Sequence, residues 1–262
     1  MERHLLSALL LVLFLSVTAV CGDEYTENVS CSNNQTAFNG SCYEFVNLTL
    51  SFVKAQARCE RGGGHLVFIR SEETQQFLQK HLNSTEHNWW IGLVSTSYNS
   101  SSNVSTDLLT WLDGSALTGN CSNWVEEAVP DTSCGYISNE SDFRCGATTN
   151  CTQEFYFICE FESGQSLACM DNHSMLQCDS GQVIAVNESF YGRNTAYYCM
   201  AANYSLSQTF DQDMCSWVDV TRAVSAVCNG HQVCKIPDAP VFGEPCPQLG
   251  SYLFVKYLCS NG

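Results

Sequence analysis

Positive charge is scarce in this chain: 11 Lys and Arg stand against 27 Asp and Glu, a formal net charge of −16 over 262 residues. No cluster of basic residues occurs anywhere. Phosphate backbones are gripped by basic stripes, so nucleic acid is excluded as a partner. An acidic balance suits calcium, basic partners or simple solubility, and solubility is the plainest account. Long apolar runs are also missing after residue 20. A membrane helix needs about 20 consecutive apolar residues, and no segment beyond the N-terminus offers them. The sequence has no Gly-x-Ser-x-Gly, no His-Glu-x-x-His, no Walker loop and no nucleophile–base pair at short spacing. Nothing in it points to an enzyme.

What is present places the chain outside the cytosol. Arg3 and His4 precede a leucine-rich run from Leu5 to Val20 and a small-residue exit at Val20-Cys21-Gly22. That order reads as a secretory signal peptide over residues 1–22, with an uncleaved anchor as the weaker alternative. The 17 cysteines are too many for a reducing compartment. A cut after Gly22 removes Cys21 and leaves an even set, as a disulfide framework requires. Zinc is the alternative use of so many thiols, but two even groups in an oxidising compartment favour disulfides. Sequons begin at Asn28, Asn34, Asn39, Asn47, Asn83, Asn99, Asn103, Asn139, Asn172, Asn187 and Asn203, and those at Asn120 and Asn150 precede cysteines. A glycosylated surface, secreted or on the extracellular face of the plasma membrane, is expected.

The cysteines divide the chain. Eight lie from Cys31 to Cys159 and eight from Cys169 to Cys259. Between them Ser163-Gly164-Gln165-Ser166 is small and polar. The expected division is therefore a module at 23–162, a linker at 163–166 and a second module at 167–262. In the first, Ser51 is placed to cap a helix through Arg61, with Phe52, Ala55 and Cys59 on one face and Gly62-Gly63-Gly64 as its stop. Leu66 to Ile69 reads as a buried strand. Ser71 with Glu72 and Glu73 opens a second helix carrying Phe77, Leu78 and Leu82. Strands follow at Trp89–Leu93 and Leu109–Gly114, separated by a Ser/Asn-rich turn at 95–106, and another closes the module at Phe155–Glu160. In the second module Gln182–Val186 alternates toward a strand that ends at Tyr191-Gly192-Arg193. Asp219 can cap a helix through Val227, with Val220, Ala223, Val224 and Val227 sharing a face and Asn229-Gly230 ending it. Tyr252–Cys259 is the last strand. The chain reads as α+β in two small disulfide-rich modules, the first α+β and the second an α/β fold.

Gly64-His65-Leu66-Val67, Trp90-Ile91-Gly92-Leu93, Trp111-Leu112-Asp113-Gly114-Ser115 and Phe157-Ile158-Cys159-Glu160 carry a resemblance over residues 31–161. The first module is similar to the C-type lectin-like domain. That resemblance implies disulfides Cys59–Cys159, Cys134–Cys151 and Cys31–Cys42, with Cys121 and Cys145 left to join each other. It also implies where a calcium–sugar site would lie, because calcium takes 6–8 oxygen ligands. In the first of the family's two ligand stretches, Trp124 is followed by Val125 to Asp131 and Cys134 arrives too soon. In the second, Gly146-Ala147-Thr148 stands where an amide and a carboxylate are wanted. Calcium is therefore not favoured as a cofactor. Glu126, Glu127 and Asp131, with Glu140 and Asp142, are weak candidates for a different cation site, and a solvated acidic loop is the plainer reading. Trp90, Trp111, Trp124 and His65 are read as core.

Tyr191-Gly192-Arg193, Cys228-Asn229-Gly230, Phe242-Gly243-Glu244-Pro245-Cys246 and Tyr252-Leu253 with Tyr257-x-Cys259 carry a second resemblance, over residues 167–259. The second module resembles the galactose/rhamnose-binding (SUEL-type) lectin domain. This implies disulfides Cys169–Cys199, Cys178–Cys259, Cys215–Cys246 and Cys228–Cys234. It further implies sugar binding without calcium at Tyr191, Gly192, Arg193 and Glu244. Tyr191 would offer a ring face or phenol, Glu244 a carboxylate acceptor, and Arg193 would brace the loop through its donor fork. Two departures reduce the grip: Met170 replaces an acidic residue and Ser251 a lysine. The order of modules resembles the N-terminal region of polycystin-like membrane proteins. The expectation is an extracellular recognition protein whose partner is a glycan or glycoprotein, with no membrane span in these residues. The alternative is a protein-interaction scaffold in which both lectin folds have lost sugar chemistry.

Overall fold

The fold was analysed in a computed structural model of the chain, which describes residues 31–82, 87–97, 107–117, 133–138, 143–170, 172–200, 215–236, 242–247 and 249–262. The first module runs β1 (Thr36–Phe38), β2 (Ser41–Leu50), α1 (Phe52–Glu60), β3 (His65–Leu66), α2 (Glu72–Leu82), β4 (Asn88–Ser97), β5 (Asp107–Trp111), β6 (Cys134–Ser138), β7 (Arg144–Thr148) and β8 (Phe155–Glu162). One sheet orders these strands β1-β2-β8-β4-β6-β7, with β3 beside β8 and β5 beside β4. The second module runs β9 (Gln165–Cys169), β10 (Ser174–Gln177), β11 (Gln182–Gly192), β12 (Trp217–Asp219), α3 (Thr221–Cys228), β13 (Val233–Ile236) and β14 (Tyr252–Asn261). Its main sheet is β12-β11-β14-β9, and β10 pairs with β13 alone. Both modules are therefore α+β.

Local chemistry accounts for most of these elements. Helix α1 buries Phe52, Ala55 and Cys59, the face its periodicity requires. Ser51 stands at its N-cap but makes no side-chain capping bond. The Phe52 N–H turns instead to the Cys151 carbonyl at 3.0 Å, so a tertiary contact satisfies the first turn. The Ser71 hydroxyl accepts the Thr74 N–H at 3.1 Å, which caps α2 in the expected way. The glycines after α1 allow a close approach: a Cβ on Gly64 would lie 2.3 Å from the Glu160 carbonyl. Without one, β3 drops directly onto β8.

Several expectations need correction. Only His65 and Leu66 form a strand, because the Val67 N–H goes to the Ile158 carbonyl while the Val67 carbonyl takes the Gly92 N–H. These split bonds leave 67–69 as a buried crossing between β8 and β4. In α3, Val224 and Cys228 are buried, as is the preceding Val220, whereas Ala223 is exposed and Val227 is 49% exposed. The disulfide at Cys228 rotates the helix away from the purely apolar face. Asp219 accepts the Thr221 N–H at 2.8 Å, one residue before the N-cap position at Val220. Of the expected linker 163–166, Gln165 and Ser166 already belong to β9, where they pair with Lys256 and Val255 of β14. The connection is Ser163-Gly164. Ser95 to Ser97 prolong β4, and residues 98–106 of the expected turn lie outside the described residues.

Among the described residues seven disulfides join Cys31–Cys42, Cys59–Cys159, Cys134–Cys151, Cys169–Cys199, Cys178–Cys259, Cys215–Cys246 and Cys228–Cys234. These are the pairs that the two resemblances imply. Cys145 is also disulfide-bonded, and Cys121 lies outside the described residues.

The modules are not independent beads. The larger core takes Leu167, Phe190, Tyr198, Met200 and Tyr252 from the second module and packs them with Phe68, Trp111 and Cys59 of the first. Phe190, Tyr252 and Leu167 share one face of the β11-β14-β9 sheet by register. The other face carries Ala168, Tyr191, Leu253 and Val255 into a second, smaller core beneath α3. Polar bonds cross the seam as well: the Thr195 hydroxyl donates to the Leu112 carbonyl at 3.0 Å, and the Leu167 N–H donates to the Gly63 carbonyl at 3.2 Å.

Candidate functional site

Strand β11 ends by delivering Tyr191, Gly192 and Arg193 to one rim of the second module, and each does something different there. Gly192 has φ +131°, a region open mainly to glycine. A Cβ at this point would lie 2.4 Å from the Ser216 carbonyl and 2.5 Å from the Trp217 Cα. Gly192 therefore lets β11 press against β12. Gly192→Ala is expected to cost about 1–3 kcal/mol, the range for a strained backbone, read as a lowered thermal midpoint.

Arg193 is 2% exposed. Its Nε donates to the Gly250 carbonyl, Nη1 to those of Thr195, Ala196 and Tyr198, and Nη2 to those of Cys199 and Leu249. A guanidinium has five N–H groups, so six carbonyls saturate it. This geometry suits a brace for the loops around the rim and leaves the fork no donor for a sugar hydroxyl.

Tyr191 is 4% exposed, with its ring 5.7 Å from that of Phe242. The ring face is thus covered, and the site can use only the phenol. Burial pushes that phenol's pKa up; the Ser251 hydroxyl works against the rise and the Glu244 charge adds to it. The Ser251 hydroxyl therefore faces the phenol, and the Glu244 charge is within electrostatic reach of it. The Glu244 side chain belongs to an exposed residue in the loop that Phe242 anchors. Ser251 is 2% exposed, and its Oγ has no well-formed hydrogen bond among the described residues. Met170 is 53% exposed and lies against Gly250: a Cβ there would be 3.1 Å from its Sδ. The rim thus offers a phenol, a buried hydroxyl, a carboxylate and a thioether. A pyranose presents hydroxyls and an apolar face, and this set matches both.

The other sequence candidates fall elsewhere. Gly146, Ala147 and Thr148 form the end of β7, and the Tyr136 ring lies where a Gly146 Cβ would be, with Cζ at 2.9 Å. The stretch carries no carboxylate. Glu126, Glu127, Asp131, Glu140, Asp142 and Trp124 lie outside the described residues. Trp90 and Trp111 are buried in the core, and the Trp90 indole donates to the Leu50 carbonyl at 2.9 Å. Of the glycosylation candidates, Asn34, Asn39, Asn47 and Asn187 are exposed and Asn172 is half-buried. Asn28, Asn83, Asn99, Asn103, Asn139 and Asn203 lie outside the described residues, as does the leader at 1–22. Among the described residues no helix is long and apolar enough to cross a membrane.

In the sequence Ser251 and Met170 appear only as losses. Burial of the serine hydroxyl at the rim cannot be seen from its neighbours in the chain. His65 likewise has the sequence context of plain core. His65 is 2% exposed, yet its Nε2 lies 3.6 Å from the Glu162 carboxylate and Glu160 is close by. Burial lowers the imidazole pKa, but the two carboxylates outweigh it and the balance is a rise.

An α+β module closed by a first-helix-to-last-strand disulfide, followed by a four-disulfide sheet module, defines a tandem lectin-fold protein. The Lectin C-type domain matches residues 48–161, and the D-galactoside/L-rhamnose binding SUEL lectin domain matches residues 176–259. Snaclec agglucetin subunit alpha-1 of Deinagkistrodon acutus is 31% identical over 155 residues, 58% of this chain and 92% of that protein. The chain belongs to the C-type lectin domain family, and it carries the SUEL lectin domain after that first module. Asialoglycoprotein receptor 1 of Rattus norvegicus is 28% identical over 148 residues, which is 54% of this chain and 48% of the receptor. The chain thus spans about half the length of the first curated relatives it matches. Among solved structures, the carbohydrate-recognition domain of mouse scavenger receptor C-type lectin aligns at 30% identity and a TM-score of 0.40, covering 50% of this chain and 96% of that one.

Proposed function

We propose that the chain is an extracellular, non-enzymatic glycan-recognition protein whose second module binds sugar without calcium at the rim formed by Tyr191, Ser251 and Glu244. The observation that carries this reading is the buried Ser251 hydroxyl, loosely engaged by the Tyr191 phenol, with the exposed Glu244 carboxylate within electrostatic reach. The Ser251 hydroxyl is held only loosely by the Tyr191 phenol, and a sugar hydroxyl placed there would give both a better-formed partner. No cation is needed for that pairing. The absence of a carboxylate from 146–148 supports leaving the first module out of calcium-dependent binding. The order of the two lectin domains supports placing the chain in the ectodomain of a polycystin-like membrane protein. The scaffold reading draws on two features: Met170 in place of an acid and the covered Tyr191 ring.

Intact disulfide-bonded chain applied to a glycan array, with calcium and again with chelator, separates the readings. Binding that survives chelator is expected, and both Tyr191→Phe and Glu244→Gln should weaken it roughly ten-fold or more, the worth of a charge-assisted or buried hydrogen bond. Tyr191→Phe keeps the ring against Phe242 and removes only the hydroxyl. Binding abolished by chelator would move the site to the first module. Silence under both conditions would favour the scaffold.

A further inference from the structure

We propose that His65, Glu160 and Glu162 form a site for a single divalent cation of the zinc class at the seam where the first module meets the second. The sheet register builds it. Glu160 and Glu162 alternate onto the same face of β8, and His65 on β3 sits directly across from Glu160. The three ligand atoms lie within 4.8 Å of one another.

The orientation of the histidine is the feature that points to a ligand. Its Nδ1 lies 2.8 Å from the Leu66 carbonyl, which can only accept, so Nδ1 carries a proton and donates it. The ring is held flat on Phe68, with centroids 4.1 Å apart. Nε2 is thereby aimed at the two carboxylates, and it has no hydrogen-bond partner among the described residues. A histidine that donates one ring N–H to a backbone carbonyl and turns its other nitrogen on a pair of carboxylates is arranged as metal ligands are. Glu160 is pre-set in the same manner: its Oε1 accepts the Tyr43 hydroxyl at 2.8 Å and its Oε2 the Phe68 N–H at 3.0 Å. Glu162 is half-buried and supplies both adjustment and a solvent-side route.

Size and chemistry narrow the ion. Zinc binds nitrogen and carboxylate oxygen at about 2.0–2.2 Å, which sets tetrahedral ligand atoms roughly 3.3–3.6 Å apart. The Nε2 to Glu162 Oε1 separation is 3.6 Å. One imidazole among few ligands suits zinc and its neighbours better than calcium, which needs 6–8 oxygens. Two groups compete for the place. A proton on Nε2 can bridge to Glu162, and Arg70 Nη1 lies 3.6 Å from the same Glu162 oxygen while also pairing with Asp113. Zinc must displace the proton, so its affinity should rise with pH. It must also share Glu162 with Arg70.

The test uses the intact chain, stripped with chelator, dialysed and titrated with zinc chloride at pH 6 and pH 8. One saturable equivalent is expected, tighter at pH 8, with a rise in thermal midpoint as mass action requires. Glu162→Gln, at a half-buried position, should weaken zinc binding roughly ten-fold or more, and Arg70→Gln should tighten it. Cobalt(II) in place of zinc should give visible d–d bands that His65→Gln abolishes. The proposal is overturned if no saturable equivalent appears, if Glu162→Gln binds zinc as tightly as the parent, or if the cobalt spectrum survives His65→Gln. In those cases the cluster is a protonated ion pair, and any bound metal belongs to other histidines.

Discussion

Arg193→Ala is expected to destabilise the second module by about 3–5 kcal/mol, the range for leaving buried charged or polar partners stranded. Six backbone carbonyls, from Thr195, Ala196, Tyr198, Cys199, Leu249 and Gly250, accept from this one side chain. They belong to two segments distant in sequence, one after β11 and one before β14. Among the described residues neither segment belongs to a strand, so the guanidinium stands in for one. Its carbon also lies 5.5 Å from the Tyr252 ring centroid, and Tyr252 is part of the core shared with the first module. Arg193→Lys should recover little, because an ammonium has three donors on a point charge and cannot span six acceptors. Denaturant midpoints of oxidised parent and variants, followed by circular dichroism, give the measurement. If Arg193→Lys kept full stability and lost only glycan binding, Arg193 would be a sugar contact and the brace would be wrong.

That outcome bears on what the sequence could reveal. The Tyr-Gly-Arg turn is legible as a motif, and so is the donor fork's use as a brace. The covering of the Tyr191 ring is not legible, because Phe242 arrives from 51 positions away. The division into two cysteine sets, helices α1 and α2, and strands β8 and β14 are legible because cysteine spacing and apolar period agree with the tertiary contacts, while the pairings within each set come from the two family resemblances. Where they disagree, the tertiary term wins. Val227 fits the apolar stripe of α3 but is exposed, since the Cys228–Cys234 disulfide fixes which side faces in. Ser51 has the right side chain for a cap, but the Cys151 carbonyl reaches the helix first. Gln165 and Ser166 look like linker by composition, yet β14 offers them a strand edge. The largest omission is the shared core. Leu167, Phe190 and Tyr252 alternate with residues of the module's own core, so the period shows two buried faces without showing what covers the second. The ligand cluster is hidden for a related reason: His65 and Glu160 are neighbours only through β3–β8 pairing.

The same seam should make stability fall as pH rises through neutrality, and Glu60→Gln should remove most of that fall. Glu60 is 3% exposed at the C-terminal end of α1. Its Oε1 accepts the Cys199 N–H and the Gln56 amide, both at 2.8 Å. Burial pushes its pKa from 4.5 up to about 7, against the pull of those two hydrogen bonds and of the Arg193 and His65 charges. A raised carboxyl holds its proton more tightly in the folded chain than in the unfolded one. Its contribution is therefore fully present below the unfolded value of 4.5 and is lost as pH rises through about 7. At roughly 1.4 kcal/mol per pKa unit, the loss is on the order of 3 kcal/mol. His65 has a raised pKa too, so it reinforces the decline. Glu162, whose pKa the His65 contact lowers against burial, acts oppositely only toward acid pH. Denaturant unfolding at pH 5 and pH 8 checks the sign: parent and Glu60→Gln should be similar at pH 5, and the variant more stable at pH 8. Parallel pH curves would mean that Glu60 stays ionised in the seam and that its hydrogen bonds outweigh its burial. A steeper decline in the parent would instead identify the contact between the modules as the part of the fold that yields first in alkaline solution, because Glu60 regains water when Cys199 moves away.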